Sequence, residues 1–278
     1  MNITRWLIIF LKSSNTARLE PGKFKDLFSN HSKEYAHSRP SYPRPLFDFL
    51  VELVHRRNLA WDCATGTGQA AVLLSEYFDQ VIATDASKEQ IKNAQPRNNI
   101  RYEVFPAEKP NISDDSVDLI TIAQALHWFD LRSFYKEATR VLRKDPNSVR
   151  KSRGVLAAWA YGLHSISEEI DTIIHLLYED ILGPYWPEER KIVEDRYQGI
   201  PFPFEEIHPP TFKIELNWDL SELVGYLYTW SSVQKFIHKN NSDPVKQIYN
   251  DLSTAWREKN GGAKKRVVWP IYMRVGRV

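Results

Sequence analysis

Between residues 59 and 160 the chain repeats one pattern: a short apolar run, a polar turn, then a stretch with helical spacing. The first run opens at Leu59 and ends on Asp62, and Ala70 to Tyr77 after it carry Val72, Leu73 and Leu74 as a helix. The second run is Val81 to Thr84, followed by Asp85. Ser87 with Gln90 three positions on predicts a helix start of the capping-box type. Residues 101–105 alternate as a strand does, and residues 106–116 read as a loop. Val117 to Ala123 is nearly continuous in apolar residues, as expected for a strand covered on both faces. Leu131 to Leu142 is amphipathic, with Asp130 placed to cap it. Gly154 to Ala160 is the next strand. The alternation of strands and helices predicts an α/β fold, a mostly parallel Rossmann-like sheet with helices on both sides.

The flanks differ in texture. Residues 24–40 have helical spacing until Pro40 and Pro43 interrupt it, which puts Tyr35 and Arg39 on one face. A second helix starts at Pro43 and Pro45, with Leu46, Phe47, Leu50, Leu53 and Val54 along its apolar side. Residues 143–153 form a basic, polar loop, the usual composition of a solvated connection. From Ser165 to Leu182 the spacing predicts one long helix, and residues 183–210 are rich in proline and aromatics. Thr211 to Trp218 alternates as an exposed strand does, two helices are expected over 220–238 and 243–258, and Arg266 to Val275 closes the chain as a strand. Pro270 within that strand predicts an edge position or a bulge. The chain thus divides into a lead-in at 1–23 and one domain over 24–278. Its core falls at 46–160 and 211–278, and its cap at 24–45 and 165–210.

Composition narrows the function. The 278 residues carry Lys+Arg 37 against Asp+Glu 35, a net charge of +2, so charge gives no reason to expect nucleic acid or an anionic membrane as partner. The apolar run Trp6 to Leu11 is far shorter than the ~20 residues that span a bilayer. One cysteine, Cys63, allows no intrachain disulfide and no cysteine-built metal site, which predicts a reducing, cytoplasmic setting and no metal.

The candidate chemistry lies in the turn after the first strand. Gly66-x-Gly68-x-x-Ala71 satisfies a dinucleotide-binding pattern, and Asp85 is the acid expected after the following strand. An NAD(P)-dependent oxidoreductase is therefore one reading. Asp62, placed directly before the loop, opposes it, because a carboxylate repels a pyrophosphate in a partly dry site. S-adenosylmethionine presents an ammonium and a sulfonium instead, both attracted by Asp62, and its ribose hydroxyls suit the two oxygens of Asp85.

Asp62 to Gly68, Asp85, the loop Pro106-Ala107-Glu108 and the strand at 117–123 together resemble the motifs of class I S-adenosylmethionine-dependent methyltransferases. More narrowly, YAHSRPSYP (35–43), ALHWFD (125–130) and LAAWAYG (156–162) are similar to the small-molecule enzymes grouped with trans-aconitate methyltransferase. GYLYTWSSV (225–233) is similar to plant members described as embryo-abundant-like. The resemblance implies a seven-stranded sheet whose last strand is antiparallel. It gives Asp62, Gly66 and Gly68 to the methionine end of the cofactor, Asp85 to the ribose, Ala107 and Glu108 to the adenine, and Gln124 and Ala125 to the sulfonium side. Tyr35 and Arg39 would come from the cap, Arg39 facing the cofactor carboxylate. Ala64 stands where the family has a glycine, so the turn is expected to close without a positive φ there. A short Pro-Gly-Gly turn of the family is replaced by the insertion at 145–153.

The implied reaction is methyl transfer to a carboxylate or hydroxyl oxygen of a small molecule, with a protein that binds the cofactor without turnover as a further alternative. His127 is the candidate catalytic residue: it could take a proton from a hydroxyl or hold a carboxylate, or it could simply cap a turn. Trp128 and Tyr161 are candidates for the acceptor pocket, as are Tyr185, Trp186 and Trp230.

Overall fold

In a computed structural model the protein is described over residues 39–144, 153–257 and 264–278. Tyr35, the helix expected over 24–38, the lead-in and most of the basic insertion lie outside the described residues.

Helix α1 (Arg44–Leu53) follows Pro43, whose extended backbone starts it, and buries Leu46, Phe47, Leu50 and Val51. Then come β1 (Leu59–Cys63), α2 (Gln69–Leu74), β2 (Gln80–Asp85), α3 (Lys88–Lys92), β3 (Ile100–Val104) and β4 (Leu119–Ala123). A 3₁₀ turn (Leu126–Trp128), α4 (Leu131–Val141) and β5 (Val155–Tyr161) complete the alternating part. The Asp130 carboxylate caps α4, accepting from the Ser133 N–H and hydroxyl. All four pairings among β1 to β5 are parallel. Beyond them lie α5 (Glu168–His175), α6 (Arg190–Glu194), β6 (Glu205–Ile207), β7 (Phe212–Trp218), α7 (Leu220–Tyr228), α8 (Ser231–Asn240), α9 (Pro244–Trp256) and β8 (Lys265–Arg277).

The strand order is β3-β2-β1-β4-β5-β8, and both β6 and β7 pair with the far side of β8. β8 is antiparallel to β5, β6 and β7, so it alone reverses direction. It is long enough for β6 to pair with Val275 to Arg277 and β7 with Lys265 to Ile271, so two strands share the seventh place. Period-two alternation distributes the central side chains over both faces. Val155, Ala157, Trp159 and Tyr161 of β5 join one apolar layer with α1, α2 and α9, while Leu156, Ala158 and Ala160 join the other with α4. Trp159 is fully buried and meets the edges of Tyr42 and Phe47.

Three local expectations are corrected. The helix expected over 165–182 starts at Glu168 and widens into a π-helical segment at Leu176–Ile181, which the apolar spacing alone does not distinguish from continued α-helix. The helix expected over 220–238 breaks at Trp230, whose extended backbone separates α7 from α8 and whose ring is buried among Tyr178, Trp186 and Tyr226. Pro270 lies in an interior strand, paired with Lys213 of β7. Its carbonyl accepts from Gly162 N–H just past the end of β5, so its donorless nitrogen faces the same way, where the β5 ladder has already ended.

Candidate functional site

The candidate site has two parts beyond the carboxyl ends of the central strands, the usual ligand side of an open α/β sheet. The first is built by the loop after β1. Thr65 N–H donates to the Thr84 carbonyl at 2.9 Å and Gly68 N–H to the Thr65 carbonyl at 3.0 Å, closing a tight turn. Gly66 has φ 58° and Gly68 has φ 88°. A Cβ at Gly68 would also stand 2.3 Å from the Tyr102 hydroxyl, so no larger residue fits there. Ala64 corrects the expectation for the turn: it too is left-handed, φ 54°. Hydrogen bonding around the loop outweighs the Cβ clash, which costs on the order of 1–2 kcal/mol in this region. Ala64→Gly is therefore expected to raise stability by about 1 kcal/mol, read as a melting temperature roughly 2–4 °C higher. An unchanged or lower value would contradict the strain at Ala64.

Asp62 is 1% exposed beneath this loop. It accepts from the Thr65 hydroxyl and, at 2.7 Å, from the Thr121 hydroxyl. Burial raises its pKa to about 6, although these hydrogen bonds and the Ala71 N–H oppose the rise. The neighbouring Asp85 charge adds to the rise, no cation among the described residues opposes it, and an ammonium in the loop would supply one. Asp85 closes the other side, accepting from Gly66 N–H at 2.9 Å and Ser87 N–H at 2.8 Å. One carboxylate thereby fixes both the glycine turn and the start of α3. Each oxygen still has lone-pair capacity for a ligand hydroxyl.

Gln90 was not foreseen as a site residue. Ser87 caps α3 through Gln90 N–H at 3.3 Å, but Asp85 already occupies Ser87 N–H, so the reciprocal half of the capping box is not formed. The Gln90 amide oxygen is left buried without a hydrogen-bond partner, 3.9 Å from where a Gly66 Cβ would lie. A ligand donor in the crevice would satisfy it. Of the two residues expected beside the adenine, Ala107 is buried and Glu108 accepts from the Asp130 N–H at 3.1 Å. The orphan oxygen, the cation-deficient Asp62 and the glycine cradle all fit S-adenosylmethionine.

The second part is a cavity past β4 and β5. Gln124, His127 and Trp128 enter from the end of β4, and Tyr161, Gly162 and Leu163 from the end of β5. Trp186, Pro187 and Arg190 cover it from the segment leading into α6, and Tyr226, Trp230 and Ser231 from the α7–α8 corner. Gln124 is left-handed, φ 60°, which turns the chain sharply off β4. Its neighbour Ala125 is buried beside it. Arg39 lines this cavity rather than the loop after β1, donating to the Tyr161 hydroxyl at 2.6 Å and to the Thr229 carbonyl at 3.2 Å. Of the aromatic candidates, Tyr161, Trp186 and Trp230 line the cavity. Tyr185 does not: it packs on Phe236 and accepts from Asn240.

Arg190 and Tyr197 also escaped sequence reasoning. Arg190 lies over the rings of Tyr178 and Trp186, 5.6 Å and 5.3 Å from their centroids, and donates to the Tyr178 hydroxyl at 2.7 Å. Tyr197 meets His127, Nδ1 to hydroxyl, at 3.1 Å. The only hint of either was the aromatic density of 183–210.

A parallel sheet with one reversed strand, a glycine turn over a buried acid and a second acid at the end of β2 define a class I methyltransferase, with S-adenosylmethionine as cofactor. The family described as "Methyltransferase domain" matches residues 61–146. A Dictyostelium discoideum protein named as a methyltransferase is 37% identical over 91% of this chain and 95% of its own length. The chain belongs to this methyltransferase family. CRG1 of Saccharomyces cerevisiae, named as an S-adenosylmethionine-dependent methyltransferase, is 31% identical over 60% of each chain. A solved structure from Anaeromyxobacter dehalogenans, titled as a type II methyltransferase, is 40% identical with a TM-score of 0.77, covering 86% of this chain and 97% of that one. No helix among the described residues is long and apolar enough to cross a membrane.

Proposed function

We propose that this methyltransferase acts on a small organic acid, transferring the methyl group to a carboxylate oxygen. The carrying observation is the make-up of the cavity. Arg39 and Arg190 bring two positive charges to it, and no acidic side chain lines it among the described residues. His127, its one histidine, is driven down to about 3 by burial and by the Arg190 charge, with Glu189 opposing, and so has little capacity as a base at neutral pH. A hydroxyl acceptor needs its proton removed. A carboxylate arrives already ionised.

The cofactor, when bound, supplies an electrophilic methyl group. Among the described residues, Asp62, Gly66, Gly68, Asp85, Gln90, Ala107, Glu108, Gln124 and Ala125 are assigned to hold it, while Arg39, expected at its carboxylate, is assigned here to the acceptor. The arginines would orient the acid by charge-assisted hydrogen bonds. Trp186, Trp230 and Tyr226 would cover its apolar part and exclude water, which favours a reaction that neutralises charge. Such an acceptor requires neither a nucleic-acid partner nor a membrane. The single buried thiol of Cys63 suits a cytoplasmic setting. The reading is supported by the likeness of the 35–43, 125–130 and 156–162 motifs to the trans-aconitate methyltransferase group.

A panel of carboxylic acids and phenols incubated with methyl-labelled cofactor, scored by product mass, tests it. Methyl esters are the expected products. Exclusive formation of phenol ethers would overturn the carboxylate assignment.

A further inference from the structure

We propose that Tyr197 fixes His127 in the tautomer protonated on Nε2, making the histidine a neutral hydrogen-bond donor to the acceptor carboxylate. This rests on the reading of the cavity given above and assigns His127 a role other than base.

Tyr197 is fully buried, and its hydroxyl lies 3.1 Å from His127 Nδ1. No hydrogen bond other than that to His127 reaches the Tyr197 hydroxyl among the described residues. The buried phenol proton has His127 Nδ1 as its acceptor among the described residues, whereas a proton on Nδ1 would leave the phenol O–H buried and unpaired. A neutral imidazole that accepts at Nδ1 must carry its proton on Nε2. Nε2 is then the nitrogen left for the cavity, and it donates.

The surroundings hold this arrangement. The His127 ring is flanked by Trp128, with centroids 4.8 Å apart, and by Tyr197 at 6.2 Å. Arg196 and Tyr197 are consecutive left-handed residues after α6, φ 57° and 60°. Neither is glycine, and such strain persists only where the surroundings over-determine it. Here Tyr197 N–H donates to the Ile192 carbonyl at 2.9 Å, and Arg274 donates to the Tyr197 carbonyl at 2.9 Å. The backbone is pinned from both sides while the phenol reaches into the β4 turn. The charged groups bearing on the imidazole are Arg190, which disfavours a second proton, and Glu189, which favours one. Arg39 lines the same cavity.

Methyl transfer to a carboxylate forms one O–CH₃ bond and breaks one S–CH₃ bond, whose electron pair remains on sulfur. No proton is released, so a base would have nothing to remove. A fixed donor, in contrast, can hold one carboxylate oxygen while the other is methylated, and Tyr197 is a positioning residue for that donor.

Ring-nitrogen NMR of the full chain labelled at histidine tests the proposal without requiring turnover, with His127→Gln used to assign the signal. Nδ1 is expected to be unprotonated and Nε2 protonated throughout about pH 5 to 8. Sodium benzoate, as a carboxylate probe, is expected to shift the Nε2–H signal. Tyr197→Phe, of nearly the same shape, should release the ring to a mixture of tautomers or allow it to titrate. A proton found on Nδ1, titration of the wild-type ring in that range, or an unchanged spectrum in Tyr197→Phe would each overturn the proposal. Should Tyr197→Phe fail to fold by circular dichroism, the wild-type tautomer alone decides. In turnover, His127→Gln keeps an N–H donor and should recover part of what His127→Ala loses; equal loss in both would also count against a donor role. A correct tautomer without any methylated acid would sink the carboxylate reading and leave the Tyr197 lock standing.

Discussion

Asp85→Ala should weaken S-adenosylmethionine binding by roughly 100-fold or more, since hydrogen bonds to a charged group are worth about 1.5–3 kcal/mol each and a ribose offers two. The loss has a second source. Asp85 holds Gly66 N–H and Ser87 N–H together, so its removal also loosens the glycine turn that cradles the ligand. Asp85→Asn tests the same placement with less loss of volume. Its amide keeps one acceptor but turns an N–H toward one of these backbone donors, so binding should fall by a similar factor with the fold intact. Isothermal calorimetry together with circular dichroism reads both. Binding within a factor of a few of wild type in Asp85→Ala would contradict the placement of the cofactor.

Asp62 should make cofactor binding depend on pH in a defined direction. Its carboxyl titrates near 6 in the cofactor-free protein against an ordinary 3.8. With the folded value raised, the folded state binds the extra proton between these two values. Stability from this group is therefore full below about 3.8 and lost as pH rises through 6. At pH 7 the buried, ionised carboxylate costs the cofactor-free protein about 3 kcal/mol. An ammonium beside it offsets that cost, so binding favours the ionised form. Affinity is expected to be flat from about pH 6 to the ammonium's own pKa of about 8, and to fall above that as the ammonium loses its proton. Below about pH 6 it should fall as much as tenfold per unit. Asp62→Asn should remove the fall on the acid side, weaken binding roughly 100-fold, and raise the melting temperature of the cofactor-free protein at pH 7, because the desolvated charge is gone. The Thr65 and Thr121 hydroxyls can rotate to serve an amide. A melting temperature lower than wild type, with the pH dependence of binding retained, would show that Asp62 is not the group responsible.

These two acids were legible from the sequence because their positions are local. Asp62 ends a strand immediately before a glycine turn, and Asp85 ends the next one; in a parallel α/β unit both strand ends point to the same side of the sheet. The alternation of apolar runs likewise determined the class of fold, since a strand buried on both faces leaves a continuous apolar signature. Ala64 shows where local reasoning fails. Alanine disfavours a left-handed backbone by itself, yet the hydrogen bonds from Thr65 to Thr84 and from Gly66 to Asp85 force the turn, and those come from the neighbouring strand. Gln90 fails for a related reason: its sequence pattern predicts a reciprocal cap, and only the folded position of Asp85 removes the donor it would have used.

By itself, then, the sequence determined a Rossmann-like sheet and a glycine turn flanked by two acids, consequences of periodicity and of strand ends that a parallel unit places on one side. The acceptor cavity was decided by tertiary structure alone. Its walls come from Arg39, the ends of β4 and β5, the segment before α6 and the α7–α8 corner. The pairing of His127 with Tyr197 spans 70 residues, and that of Arg39 with Tyr161 spans 122. No spacing rule links residues so far apart. The packing of an aromatic-rich segment over the sheet brings them together.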